Sequence, residues 1–224
     1  NALWLRSPAE VAAEALELVA EGDFKALKFR MGRERLSDDL ATAQALRDTL
    51  DDNIELMVDF NQGMDMAEAL SRCHAIDDLD LVWIEEPIIY NDFGGYAKLA
   101  GELKTPLQIG ENFYGVQDMY KALDAKACDL VMPDFMRIGG VTGWLQAAGL
   151  AAAANIPKST HLYPEVAAHV MRVTRTAHLL EWQDWAEAVL AEPYQVVKGK
   201  LEIPDRPGLG LDWDEEAVAH YQIE

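Results

Sequence analysis

The chain has 224 residues, half of them hydrophobic, and carries 39 acidic against 19 basic side chains for a net charge of −20. That length supports one substantial core, and the charge argues against nucleic acid or an anionic membrane as partner, because both would repel it. Cys73 and Cys128 have neither disulfide nor zinc spacing, no apolar run reaches ~18 residues and no signal-peptide pattern opens the sequence, so a soluble, cytoplasmic protein is expected.

Short β-rich runs alternate with helical patterns along most of the chain, which predicts βαβ units and a parallel sheet. Residues 1–5 read as the tail of a strand. Ser7 is placed to cap a helix over 8–20 with Pro8 in its first position. A strand at 26–30 and a helix at 37–50 follow. Further strands are predicted at 54–60, 81–86, 107–112, 129–134, 157–162 and 177–182, separated by helices at 66–76, 93–103, 117–125, 141–154 and 165–173. Right-handed crossovers carry such helices to the outside of a curling sheet. Residues 1–190 are therefore expected to form a TIM-type (β/α) barrel, an α/β fold. The seven full strands fall one short of a closed barrel, and the expectation is a longer polypeptide that supplies most of the first strand. Residues 194–203 alternate like a hairpin around Lys198-Gly199, and residues 191–224 are expected to be a tail that packs on a further domain.

Three acids close short apolar runs at equal intervals: Asp59, Glu85 and Glu111, each 26 residues after the last. That pitch is one strand, one helix and two turns, so each acid arrives at the same edge of a parallel sheet. One acid at a strand end is commonly a helix cap or a solvated loop residue. Independent caps have no reason to share a strand end three times over. Carboxylates without Cys or His at ligand spacing favour a hard cation, magnesium rather than zinc or copper.

Other polar residues fall at the same edge. Lys28 and Arg30 lie two apart on one strand and point the same way. Asp134, His161 and Glu181 end successive later strands, and Asp134 can hold one ring nitrogen of His161 while the other acts as a base. His74, His169, His178 and His220 read as structural or surface residues. Glu86 is expected on the opposite face of its strand from Glu85, with Pro87 ending the pairing. Gly139-Gly140 reads as a tight turn in preference to a phosphate cradle.

The motifs Val58-Asp59-Phe60-Asn61-Gln62, Trp83-Ile84-Glu85-Glu86-Pro87, Gly110-Glu111-Asn112 and Met132-Pro133-Asp134, with Ile138-Gly139-Gly140-Val141-Thr142-Gly143 after them, resemble the barrel domain of the enolase superfamily, within it the mandelate racemase subgroup. The resemblance implies that Asp59, Glu85 and Glu111 bind one Mg²⁺, that Asp134 and His161 form a catalytic dyad, and that Glu181 hydrogen-bonds a substrate carboxylate as it becomes an enediolate. It places Lys28, Arg30, Asn61 and Glu181 around a small carboxylate substrate. It also implies an N-terminal α+β capping domain, and a homo-oligomer is expected. One position departs from the pattern. Mandelate racemase has Lys-x-Lys where this chain has Lys28-Phe29-Arg30, and arginine keeps its proton in proteins. A single base, His161, favours dehydration of a sugar acid to a 2-keto-3-deoxy acid. The alternatives are a racemase or epimerase of a 2-hydroxy acid with Lys28 and His161 on opposite faces, and a non-catalytic barrel fragment.

Overall fold

A computed structural model describes residues 2–223. β1 (Ala2–Leu3) leads into α1 (Pro8–Gly22), whose start is fixed by a reciprocal capping box between Ser7 and Glu10 with Pro8 in the first turn. β2 (Ala26–Arg30), α2 (Leu36–Thr49), β3 (Glu55–Asp59), α3 (Met66–Ile76), β4 (Leu81–Glu85), α4 (Phe93–Glu102), β5 (Leu107–Ile109), α5 (Val116–Asp124), β6 (Leu130–Val131) and α6 (Gly140–Ala154) then alternate. The six strands form one parallel sheet in sequence order, the topology that repeated right-handed βαβ units produce. After α6 come α7 (Pro164–Met171), the antiparallel pair β7 (Gln195–Val197) and β8 (Lys200–Glu202), and α8 (Glu215–Tyr221).

The period of two along each strand sorts residues between two layers. Leu27, Phe29, Leu56, Val58, Ile84, Leu107, Ile109 and Val131 face the helices and join the main core, where each fully buried aliphatic side chain contributes about 1.5–3 kcal/mol. The intervening Met57, Trp83 and Leu130 form a smaller apolar cluster. Asp59 shares the parity of Met57, and Glu85 that of Trp83, so the pleat that buries the core turns both acids to the opposite face. A cavity of about 370 Å³ runs beside Ala26–Lys28, between them and residues 179–182, and is bounded also by Val196, Leu201 and Ile203.

Two of the predicted strands are not regular. Residues 157–162 run beside β6 and meet it and the residues after it through single parallel bridges, Val131 to Lys158 and Asp134 to His161, and residues 177–182 meet 157–162 in turn through Lys158 to Ala177. Leu162 and Tyr163 both take positive φ, 50° and 49°, which ends the extended run at once. Two others shorten for local reasons. Pro133 has no N–H to extend β6. At Gly110, φ is +137° and a Cβ would meet the Met132 backbone nitrogen at 3.0 Å, so the chain leaves β5 there. The hairpin appears where the alternation put it, with Lys198 and Gly199 both at positive φ as its two-residue turn requires. Hydrogen bonds tie the segment after residue 190 to the barrel: Gly199 donates its N–H to the Gly22 carbonyl at 2.7 Å, and Tyr194, which also bonds the Leu209 carbonyl within the segment, meets His169 of α7.

Away from the acids, one buried charge-bearing residue among those described lacks any polar partner. Lys158 is completely buried under α6, its Nζ 2.8 Å from the Trp144 ring centroid and without a hydrogen-bond partner, and burial pulls its pKa from 10.5 down to about 6.

Candidate active site

Asp59, Glu85 and Glu111 are all buried, and each offers an oxygen within 4.8 Å of the others'. Three carboxylates this close repel one another unless positive charge lies among them. Lys28 supplies part of it: Nζ donates to the two Glu85 oxygens at 2.8 and 2.9 Å and lies 3.3 Å from Glu181 and 3.9 Å from Asp59. Burial works against its charge, yet Glu85, Glu181 and Asp59 together hold the ammonium well above the ordinary lysine range. Glu85 is pushed upward by burial, with Lys28 pulling the other way, and its Oε2 also accepts from the Trp83 indole at 3.0 Å. Arg30 Nη1 lies 2.9 Å from Asp59 Oδ2 as an ion pair without hydrogen-bond alignment, and the guanidinium sits 5.3 Å from the ring of Trp4 at the end of β1.

On another side of the triad stands the dyad. Asp134 Oδ1 accepts from the backbone N–H groups of Met136 and Arg137 at 2.8 and 2.9 Å, while Oδ2 meets His161 Nδ1 at 2.8 Å. Burial pushes this carboxyl up, but the bonds from His161 and Arg137 outweigh it and leave the pKa lowered. With Nδ1 committed to Asp134, the His161 Nε2 faces the acids, 3.5 Å from Glu111 Oε2. Glu181 accepts from the Leu162 N–H at 2.8 Å. Against the upward push of burial, Lys28 and then His161 hold its pKa at about 2. In this arrangement Glu181 is an ionised acceptor that steers Lys28, and Lys28 is the proton-rich partner. Asn61 has its side chain exposed at the rim, φ 45°, and its backbone N–H bound to Asp59 Oδ1 at 2.7 Å.

Glu86 departs from the sequence expectation. Its φ of 39° takes it out of the strand geometry, and its buried carboxylate accepts from Asn112 Nδ2 at 3.0 and 3.2 Å. Burial, with Glu111 adding to it, raises its pKa to about 8. Alternation of side chains holds only while the backbone stays extended, and a left-handed residue at a strand end cancels it. The sequence reading also passed over Trp83, Asn112 and Arg137. Trp83 was recoverable from its parity with Glu85. Asn112 and Arg137 act from loops, where no period applies. His74 and His220 are exposed, while His178 hydrogen-bonds Ser159, consistent with structural roles. Gly139 and Gly140, with φ 105° and 63°, make the turn that starts α6.

Residues 10–217 match the model of the family described as enolase C-terminal domain-like. The chain belongs to that family. Among solved structures, this family member is similar to a magnesium-bound enolase from alphaproteobacterium bal199, with 65% identity, a TM-score of 0.96, and coverage of 97% of this chain and 61% of that one. It is also similar to an enolase from Bradyrhizobium complexed with magnesium and mandelic acid, at 42% identity, TM-score 0.94, and coverage of 100% and 62%. Among curated proteins, the L-talarate/galactarate dehydratase of Salmonella typhimurium is 29% identical over 220 residues, 98% of this chain and 55% of that protein. The chain thus spans little more than half the length of that relative, and about three fifths of those two solved chains.

The donor set fits a magnesium ion. All three donors are carboxylates, as a hard cation wants. Asp59 Oδ2 is buried and receives no aligned hydrogen bond, its near neighbours being the charges of Arg30 at 2.9 Å and Lys28 at 3.9 Å. Among the described residues no helix is long and apolar enough to cross a membrane.

Proposed function

We propose that this chain is the catalytic barrel of a Mg²⁺-dependent enzyme that removes the proton α to a carboxylate, and that the overall reaction is dehydration of a sugar acid to a 2-keto-3-deoxy acid. The observation that carries the reading is the asymmetry of the site. One side holds an imidazole poised by Asp134, and the other holds Arg30 and a Lys28 committed to acids. Bound Mg²⁺ would be held by Asp59, Glu85 and Glu111 and would supply Lewis-acid polarisation of the substrate carboxylate. Lys28 and Arg30 offer positive charge to that carboxylate as negative charge builds on it. Glu181 keeps Lys28 in place, and Asn61 reaches the substrate from the rim.

His161 Nε2 takes the α-proton, and Asp134 stabilises the resulting imidazolium through Nδ1. The same proton then passes to the β-hydroxyl as its C–O bond breaks, so water leaves and the enol tautomerises to the 2-keto acid. One residue serves as base and then acid, and no second base is needed. Arg30, always protonated, is poorly suited to return a proton to the opposite face and then be regenerated, which disfavours racemisation.

Incubating the intact protein with Mg²⁺ and a library of acid sugars in deuterated water tests the reading. Release of a keto acid that drops by about 10³-fold or more in His161→Asn is expected. Recovered substrate carrying α-deuterium without keto acid would point instead to a racemase or epimerase, and full dehydration by His161→Asn would remove the imidazole from the mechanism.

A further inference from the structure

Between the two halves of the site runs a connection that neither half requires by itself. Arg137, in the loop between β6 and α6, donates from Nη1 to the Glu111 carbonyl at 2.9 Å and to Asn112 Oδ1 at 3.1 Å. The same nitrogen lies 3.9 Å from Glu111 Oε1. Asn112 passes the contact on, donating Nδ2 to both Glu86 oxygens and to Glu111 Oε1 at 3.3 Å. At its other end, the Arg137 backbone N–H is one of the two that hold Asp134 Oδ1, and its carbonyl accepts from the Gly115 N–H at 3.0 Å. One residue therefore grips the carboxylate that aims His161 and the residue that supplies a cation ligand, in two loops that follow different strands.

We infer that Arg137 is a positioning residue that couples the Asp134–His161 base to the cation ligand Glu111, so that filling the acid triad also orders the loop holding the base. The physical reason is mechanical. A planar guanidinium with its donors in a fixed plane locks one loop to another far better than a flexible ammonium. Fixing Glu111 on a cation fixes its carbonyl, and with it Arg137 and the two N–H groups that orient Asp134. Outer partners of this kind orient ligands in metal sites generally. The base would then be aligned when the ion that polarises the substrate is present, and looser when it is not. The inference rests on the magnesium reading of the triad.

Hydrogen exchange of the intact protein with and without saturating Mg²⁺ tests it without any substrate. In wild type, Mg²⁺ is expected to slow exchange severalfold in residues 111–115 and also in 134–140, notably at the Met136 and Arg137 amides. In Arg137→Met the first loop should stay protected while the second returns to its metal-free rate. Arg47→Met is the control: Arg47 ties α2 to the carbonyls of Ile54 and Asp80, at the other ends of the strands, and both loops should remain protected in it. If Arg137→Met fails to fold, Arg137→Lys decides, since it keeps the charge but not the planar geometry and should lose most of the protection at 134–140. Protection that persists in the Arg137 variants, or is lost equally in Arg47→Met, overturns the coupling. Protection of 111–115 alone in wild type also overturns it while leaving the cation site intact. No protection in either loop of wild type sinks the magnesium reading and the coupling with it.

Discussion

Replacing Lys158 by methionine should stabilise the protein, against the usual direction of core substitutions. The amine is fully buried, has no hydrogen-bond partner and touches the Trp144 ring, and its pKa falls from 10.5 to about 6 because burial penalises the charge. The folded state therefore holds a neutral amine at pH 7, while the unfolded chain binds a proton there. Since the unfolded state binds more protons, stability rises with pH between 6 and 10.5, with a slope of about 1.4 kcal/mol per unit. At pH 7 the drop of about 3.5 units below 10.5 corresponds to about 5 kcal/mol, as an upper bound. The neutral amine gains no cation–π attraction from the indole face, and the contact it makes with that ring is one a thioether can also make. Methionine has a similar reach and no charge to desolvate, so Lys158→Met should gain about 2–4 kcal/mol at pH 7. Denaturant unfolding at a series of pH values measures both quantities. Wild type should gain stability on going from pH 6.5 to 9.5, and the variant should lack most of that gain. An unchanged slope, or a variant less stable at pH 7, would refute the assignment of a neutral, unpartnered amine.

Two further outcomes follow from the site and its supports. Mg²⁺ at one hundred times its dissociation constant should add about 2.7 kcal/mol of stability, reversed by chelator and abolished in Asp59→Asn, as thermal unfolding would record. Asp39 is fully buried and accepts from Arg33, from Arg72 and from the Gly32 N–H. Asp39→Ala takes the shared buried carboxylate from both guanidinium groups, leaving Arg33 its carbonyl acceptors and Arg72 its carbonyls and Glu68, and should cost about 3 kcal/mol in denaturant unfolding; a loss under about 1 kcal/mol would mean that those remaining partners suffice.

The three acids were readable from sequence because a βα repeat makes spacing equivalent to position. Strands and helices of similar length bring Asp59 opposite Glu85 on neighbouring strands, and the apolar alternation before each fixes which way it points. Glu111 follows β5, whose register sets Gln108 beside Glu85, and the positive φ at Gly110 breaks the alternation before it. The same logic places Lys28, Arg30, Asp134, His161 and Glu181, and the hairpin at Lys198-Gly199 follows from turn chemistry alone. These properties are local, or repeat with the period of the fold.

Tertiary structure decided what those residues do to one another. Periodicity puts Lys28 on the inner face but cannot say that its ammonium lies between Glu85 and Glu181, where it is held protonated. Glu86 turns back toward the triad because one backbone angle leaves the extended region and Asn112 catches its carboxylate. Residues 157–162 and 177–182 have the composition of strands and follow β6 in parallel order, yet form only single bridges, and the positive φ of Leu162 and Tyr163 ends the first run. The burial of Lys158 under Trp144 and the reach of Arg137 across two loops are contacts between residues far apart or outside any period. Side-chain alternation fixes the face on which a residue lies. The partner it meets there, and the charge it then carries, depend on distances that only the folded chain sets.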